Sequence, residues 1–182
     1  MNNLIVFLIL SLPLVLVSRR SLSNIRSHGF YRFLAWEGML WLLIINLRFW
    51  FTDPLAPHQL TAWFCLFYAL VLVIAGTHLL RRSGRARSER DDATLYQFEK
   101  TTALVETGIY RYIRHPLYGS LLFLNWGIFF KHPAAVPLGV AILVSILLTA
   151  TARIEEQENI AYFGPAYRDY MRRSKMFVPY LF

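Results

Sequence analysis

The sequence predicts an all-α, multispanning membrane helical bundle of about five transmembrane helices, and three observations carry that prediction. Of the 182 residues, 56% are hydrophobic and only 16% charged, an excess that a soluble domain would leave as large exposed apolar patches. The apolar residues gather into five runs, at 2–18, 33–51, 60–80, 116–130 and 134–151. The basic residues follow alternate runs: 17 of the 19 Lys and Arg come after runs one, three and five.

The first run is short and contains Pro13. It resembles a signal peptide, but "MNN" lacks a positive n-region and no small-residue cleavage site precedes Arg19-Arg20, so it reads as a retained span. The second and third runs reach the ~20 residues that a ~30 Å hydrocarbon core requires, and the fifth nearly does. The fourth covers only about 22 Å at 1.5 Å per residue.

Between runs three and four lies the polar stretch 81–102, which contains "RRSGRARSERDD". It reads as a basic cytoplasmic linker suited to anionic lipid headgroups. It divides a single domain, 1–182, into three plain spans (1–80) and a motif-rich half (103–182). Of the remaining basic residues, Lys131 lies on the opposite side and Arg48 can snorkel from the end of the second run. The positive-inside rule then puts the N-terminus outside and the C-terminus in the cytoplasm, as in a multi-pass protein of a prokaryotic inner membrane.

The net charge of +8 is therefore a topology signal and no argument for nucleic acid. A single cysteine, Cys65, excludes an internal disulfide framework and a Cys-based zinc site. The five histidines show no His-x-x-x-His spacing, so no metal is expected. Two polar residues interrupt the spans, Glu37 and Asn125. Such groups often mark a cavity; the plainer reading of Glu37 is a headgroup-level side chain or an arginine partner.

Two clusters remain. In "GIYRYIRHPLYGS", residues 108–120, Pro116 suits a first helical turn and pushes His115 out of helical geometry, so His115 should cap a helix starting at Pro116. A helix N-terminus attracts an anion, Arg111, Arg114 and His115 strengthen that field, and the tyrosine faces suit a cation. A ligand with both kinds of charge would fit, and so would a simple interfacial belt. In the second cluster, Glu155 and Glu156 stand where the fifth span ends. They suit a site, or equally a solvated pair with Glu156 bonded to Arg153. Phe163-Gly164-Pro165 reads as a helix stop followed by a helix start. The new helix has Tyr167, Tyr170 and Met171 on one face, a short amphipathic lid.

Together, Thr107-Gly108-Ile109-Tyr110, Arg114-His115-Pro116-Leu117-Tyr118, Glu155-Glu156, Phe163-Gly164 and Tyr167 resemble the isoprenylcysteine carboxyl methyltransferase and phospholipid methyltransferase family, over roughly 95–182. These are integral membrane enzymes that use S-adenosylmethionine. The resemblance implies a cytoplasmic-side cofactor pocket beneath the short C-terminal helix. Leu104 and Val105 would offer backbone contacts to the adenosine, Tyr110, His115 and Tyr118 would surround the methionine part, and Pro116 and Leu117 would also belong to the cofactor site. Glu155 would take its ammonium group. Glu156, beside it, and Arg153 are the candidate catalytic residues. Some prenylcysteine enzymes hold the substrate carboxylate with an arginine where this chain has Thr151, and Arg153 is the nearby substitute. The implied acceptor is a lipophilic molecule or lipid, a carboxylate, thiol or amine, entering from the bilayer. The rivals are a sterol-reductase-type NADPH enzyme, with the Arg-rich loop at its phosphates, and a non-enzymatic membrane scaffold.

Overall fold

The computed structural model describes residues 2–83 and 103–181. They form six α-helices: α1 (Asn3–Leu22), α2 (His28–Asn46), α3 (Pro57–Ser83), α4 (Pro116–Phe129), α5 (Ala135–Phe163) and α6 (Pro165–Arg173). Short 3-10 turns occupy Leu47–Phe49 and Gly108–Arg111. There is no strand among the described residues. α3 continues to Ser83, so the first three residues of the expected linker are helical, and the rest of it lies outside the described residues.

Local stereochemistry sets the boundaries that position the site. Ser27 caps α2, its Oγ accepting from the Phe30 N–H. His115 caps α4 with backbone angles outside the helical range, and Pro116 stands in the first turn, as the His-Pro pair predicts. Gly164 ends α5 at φ 62°, a left-handed value that favours glycine, and Pro165 opens α6.

α1, α2 with the turn that follows it, α3 and α5 are long and apolar enough to cross a membrane. α4, the fourth of the five expected spans, has 14 residues, about 21 Å, and falls short. Its surroundings explain how so short an apolar helix persists. It packs against α2, α3 and α5, and Tyr118, Asn125, Ile128 and Phe129 are all buried, so protein takes the place of lipid around much of it.

Close contacts at small residues hold the bundle, as expected where apolar burial alone gives helices little preference for each other over lipid. A Cβ at Gly127 would stand 2.9 Å from Leu66 Cγ and Cδ2 and 3.2 Å from its backbone nitrogen, which brings α4 against α3. Gly38 lies similarly against Val144. Around that α2–α5 seam, Ala35, Met39, Val144, Leu148 and Ala152 form a core with Tyr118 and Phe177. Asn125 Nδ2 donates to the Ala141 carbonyl at 3.0 Å, tying α4 to α5. α1 is peripheral. It meets α2 through the edge-to-face pair Phe7–Trp41 and through Ser11, whose hydroxyl donates to Glu37 Oε1 at 2.8 Å. Glu37 thus finds a serine partner, where the plainer reading of the sequence gave it headgroups or an arginine.

The connections sort into two ends. At one, Lys131 is 1% exposed. Its Nζ donates to Gln59 Oε1 at 3.0 Å and lies 3.3 Å from the centre of the Trp63 ring, a desolvated cation–π contact. Burial pushes this ammonium below its usual range. His132 stacks on Phe49 at the same end. At the other end, the start of α2, the 104–115 segment, the close of α5 and the C-terminal tail come together.

Two outcomes follow. In a Cys65→Ser background, single cysteines at the exposed Ser23 and Arg172 should react with an impermeant maleimide from one membrane face, and one at Leu55 from the other. Labelling of Leu55 together with Arg172 would overturn this arrangement. Gly127→Ala should lower the thermal unfolding midpoint in detergent, since overpacking a tight contact costs about 1–3 kcal/mol; an unchanged midpoint would show that α3 and α4 yield freely.

Candidate active site

A cavity of about 80 Å³ opens at the second end, between the last turns of α3, the 104–118 segment, the end of α5 and α6. Leu104, Val105, Tyr110, His115, Pro116, Leu117, Tyr118 and Glu155 all line it, joined by Leu80, Asn159, Phe163, Tyr167 and Tyr170. Every residue that the resemblance gave to the cofactor is therefore brought to one place. The two candidate catalytic residues, Arg153 and Glu156, are not among the lining residues.

The segment before α4 is shaped by its neighbours. Gly108, at φ 57°, begins the 3-10 turn that carries Tyr110, and a Cβ there would meet Leu79 Cδ1 at 2.6 Å. The residues after α6 then run parallel to this segment. Lys175 N–H donates to the Tyr112 carbonyl at 2.9 Å, Arg114 N–H to Lys175 at 2.7 Å, and His115 N–H to Met176 at 3.1 Å. Tyr170 of α6 donates its hydroxyl to the Tyr110 carbonyl at 2.6 Å. The predicted lid helix is thus fastened over the cavity, with Tyr167 and Tyr170 each 3% exposed. Burial pushes both phenols well above their ordinary range, and the Glu155 carboxylate adds to the effect at Tyr167. At neutral pH both keep their protons.

Within the cavity, Tyr118 donates its hydroxyl to Glu155 Oε2 at 2.5 Å. The His115 ring stacks against Tyr118, with centroids 5.6 Å apart. Its Nδ1 lies 4.0 Å from Glu155 Oε1 and its Nε2 3.4 Å from Glu156 Oε1. The second separation is an ion-pair distance without hydrogen-bond alignment, so among the described residues the buried Nε2 has no hydrogen-bond partner. Glu155 keeps 19% of its side chain exposed and is the carboxylate that faces the cavity.

Glu156 has a different partner. It accepts from Arg114 Nε at 2.7 Å, with both side chains under a tenth exposed. Arg114 Nη1 donates in addition to the carbonyls of Met171 and Ser174. The pairing of Glu156 with Arg153, one reading of the sequence, does not form. Arg153 is exposed on another side of α5, because two residues at about 100° each turn it roughly 200° away from Glu155.

The sequence reading missed the contribution of α2. His28, fully buried, places Nδ1 2.6 Å from Glu158 Oε2. Arg32 is 4% exposed, and both basic side chains stand close enough to act electrostatically on Glu155. The signal was available: an arginine in the first turns of an apolar helix is an ionisable group near membrane depth, and such groups face partners.

Residues 64–165 match the family model described as phospholipid methyltransferase. That is more than half of the chain, and the chain belongs to this family, the group of isoprenylcysteine carboxyl methyltransferase-like membrane enzymes that the two motifs indicated. No curated protein and no solved structure matches it. α1, α2 and nearly all of α6 and the tail lie outside the matched residues.

The Arg114–Glu156 pair can be tested by a mutant cycle. Removing one partner of a buried ion pair costs about 3–5 kcal/mol, so Arg114→Ala should depress the unfolding midpoint strongly. Glu156→Gln in the same chain should recover part of the loss, because no uncompensated carboxylate then remains. Strict additivity of the two changes would show that the groups are not coupled.

Proposed function

We propose that this phospholipid methyltransferase family chain moves a methyl group from S-adenosylmethionine to a lipophilic acceptor that enters from the bilayer. The observation that carries the reading is the convergence of Glu155, His115 and the start of α4 on one cavity. The residues fit the cofactor's chemistry. A part-exposed carboxylate suits an ammonium, and a helix N-terminus beside an imidazole suits a carboxylate. Aromatic faces suit a sulfonium, and Leu80, Leu104 and Val105 supply apolar surface for a ring.

When bound, S-adenosylmethionine supplies a methyl group already activated by its positive sulfur. The chain is left with positioning and with exclusion of water. The Tyr118 hydroxyl fixes the Glu155 carboxylate, and the basic side chains of α2 act on it through their field. Tyr167 and Tyr170 close the cavity on the α6 side without adding charge. Glu156 positions the segment through Arg114 and, with that bond made, is poorly placed to accept a proton. Arg153 stands outside the cavity, so it offers no help to an acceptor carboxylate there. An acceptor that is already ionised, or that gives up its proton to water, makes the least demand on these residues. The excess of basic residues at the site end supports placing that end in the cytoplasm.

The reductase reading would put phosphates beside Glu155, in a cavity whose lining arginine is committed to Glu156. Calorimetry of the detergent-solubilised protein should show binding of S-adenosylhomocysteine and none of NADPH; the reverse would replace the methyltransferase reading, and binding of neither would favour a scaffold. Glu155→Gln should weaken S-adenosylhomocysteine at least about tenfold, with its partial exposure holding the loss below the ~3–5 kcal/mol of a sealed pair. Equal affinities would remove Glu155 from the site.

A further inference from the structure

We infer that α5 carries a second binding site, on its side away from the cavity, for an anionic phospholipid. A groove of about 650 Å³ runs there, with Tyr31 of α2, Trp126 of α4 and Ile142, Ile146, Thr149 and Arg153 of α5 among its lining. The inference is independent of the methyl-transfer reading.

Three features specify the occupant. The first is charge. Arg153 is the cation of the groove, and none of the residues lining it carries a carboxylate. Among the described residues neither Arg153 nor the Tyr31 hydroxyl has a hydrogen bond or ion pair, so within that part of the chain two donors at one end of the groove are unused. The hydroxyls deeper in the groove are already engaged: Ser145 donates to the Ala141 carbonyl and Thr149 to that of Ser145. The polar demand is therefore at one end, and it asks for an anion.

The second feature is depth. Tyr31 lies at the start of α2, and Arg153 stands two residues past the apolar run of α5, ten residues before the helix ends toward the site. From Arg153 to Ile142 the helix rises about 16 Å, close to half of a ~30 Å hydrocarbon core. A headgroup phosphate at Arg153 would thus let an acyl chain reach Ile142 and Trp126 within one leaflet. The third feature is surface: Ile142 and Ile146 are 46% and 60% exposed and offer the chain an apolar wall. A free phosphate would use the arginine and leave this wall uncovered.

The test uses phosphatidylglycerol and phosphatidylcholine with brominated acyl chains, added to the solubilised full chain, with tryptophan quenching as the readout. Brominated phosphatidylglycerol should quench at lower mole fraction than brominated phosphatidylcholine, and Trp126→Phe should remove the selective part of the signal. Arg153→Gln should weaken the phosphatidylglycerol response roughly fivefold, the contribution of one basic residue at an anionic surface, while Arg153→Lys keeps most of it. Equal quenching by the two lipids, which the unmodified protein alone can show, would overturn the proposal. Selectivity that survives Trp126→Phe or Arg153→Gln would also overturn it, by placing the anionic lipid elsewhere.

Discussion

The guanidinium of Arg114 is shared between the Glu156 carboxylate and two carbonyls, one in the last turn of α6 and one just beyond it, and the geometry of the cavity depends on that sharing. One residue links the entrance to α4, the exit of α5 and the C-terminal tail. The parallel run of backbone bonds from Tyr112 to Met176 and the hydroxyl of Tyr170 reinforce the same junction. Three segments that are irregular, or only briefly helical, thereby gain fixed positions. With both partners mostly buried, this pair adds specificity of arrangement more surely than net stability.

Charge at this end is dense and largely matched. His28, Arg32, Arg114 and His115 stand among Glu155, Glu156 and Glu158. Near a bilayer each of these groups alone would be expensive. Arranged as a network, each carboxylate has a basic side chain close by, and Glu155 is the member turned toward the cavity. Two of the basic side chains belong to α2, which the family match does not reach, so the chain completes its site with a helix from its N-terminal half.

How much of this was legible in the sequence depends on distance along the chain. The starts of α4 and α6 and the stop at Gly164 were readable because proline and glycine act on their immediate neighbours. The lining of the cavity was readable through the two motifs and the family they resemble. The pairings Arg114–Glu156 and His28–Glu158 were not, since no periodicity connects residues 42 and 130 positions apart. That Arg153 stands off the cavity was legible as well: turning the helix two residues back from Glu155 already points the side chain away. Glu37 lacked any such rule, because its partner, Ser11, sits on a neighbouring helix whose contact face no local pattern announced.

The attachment of α6 bears on how a ligand is received. The helix is joined to α5 through Gly164, around which an added Cβ would meet open space, and its far end is stitched to the 112–115 backbone. A flap tethered along one edge swings; a span fixed at both abutments holds its height. The aromatic roof is therefore assembled during folding, and its conformational entropy is already lost when a ligand arrives. With the roof standing before a ligand arrives, the room that a molecule larger than about 80 Å³ needs has to come from the open side of the cavity, away from α6.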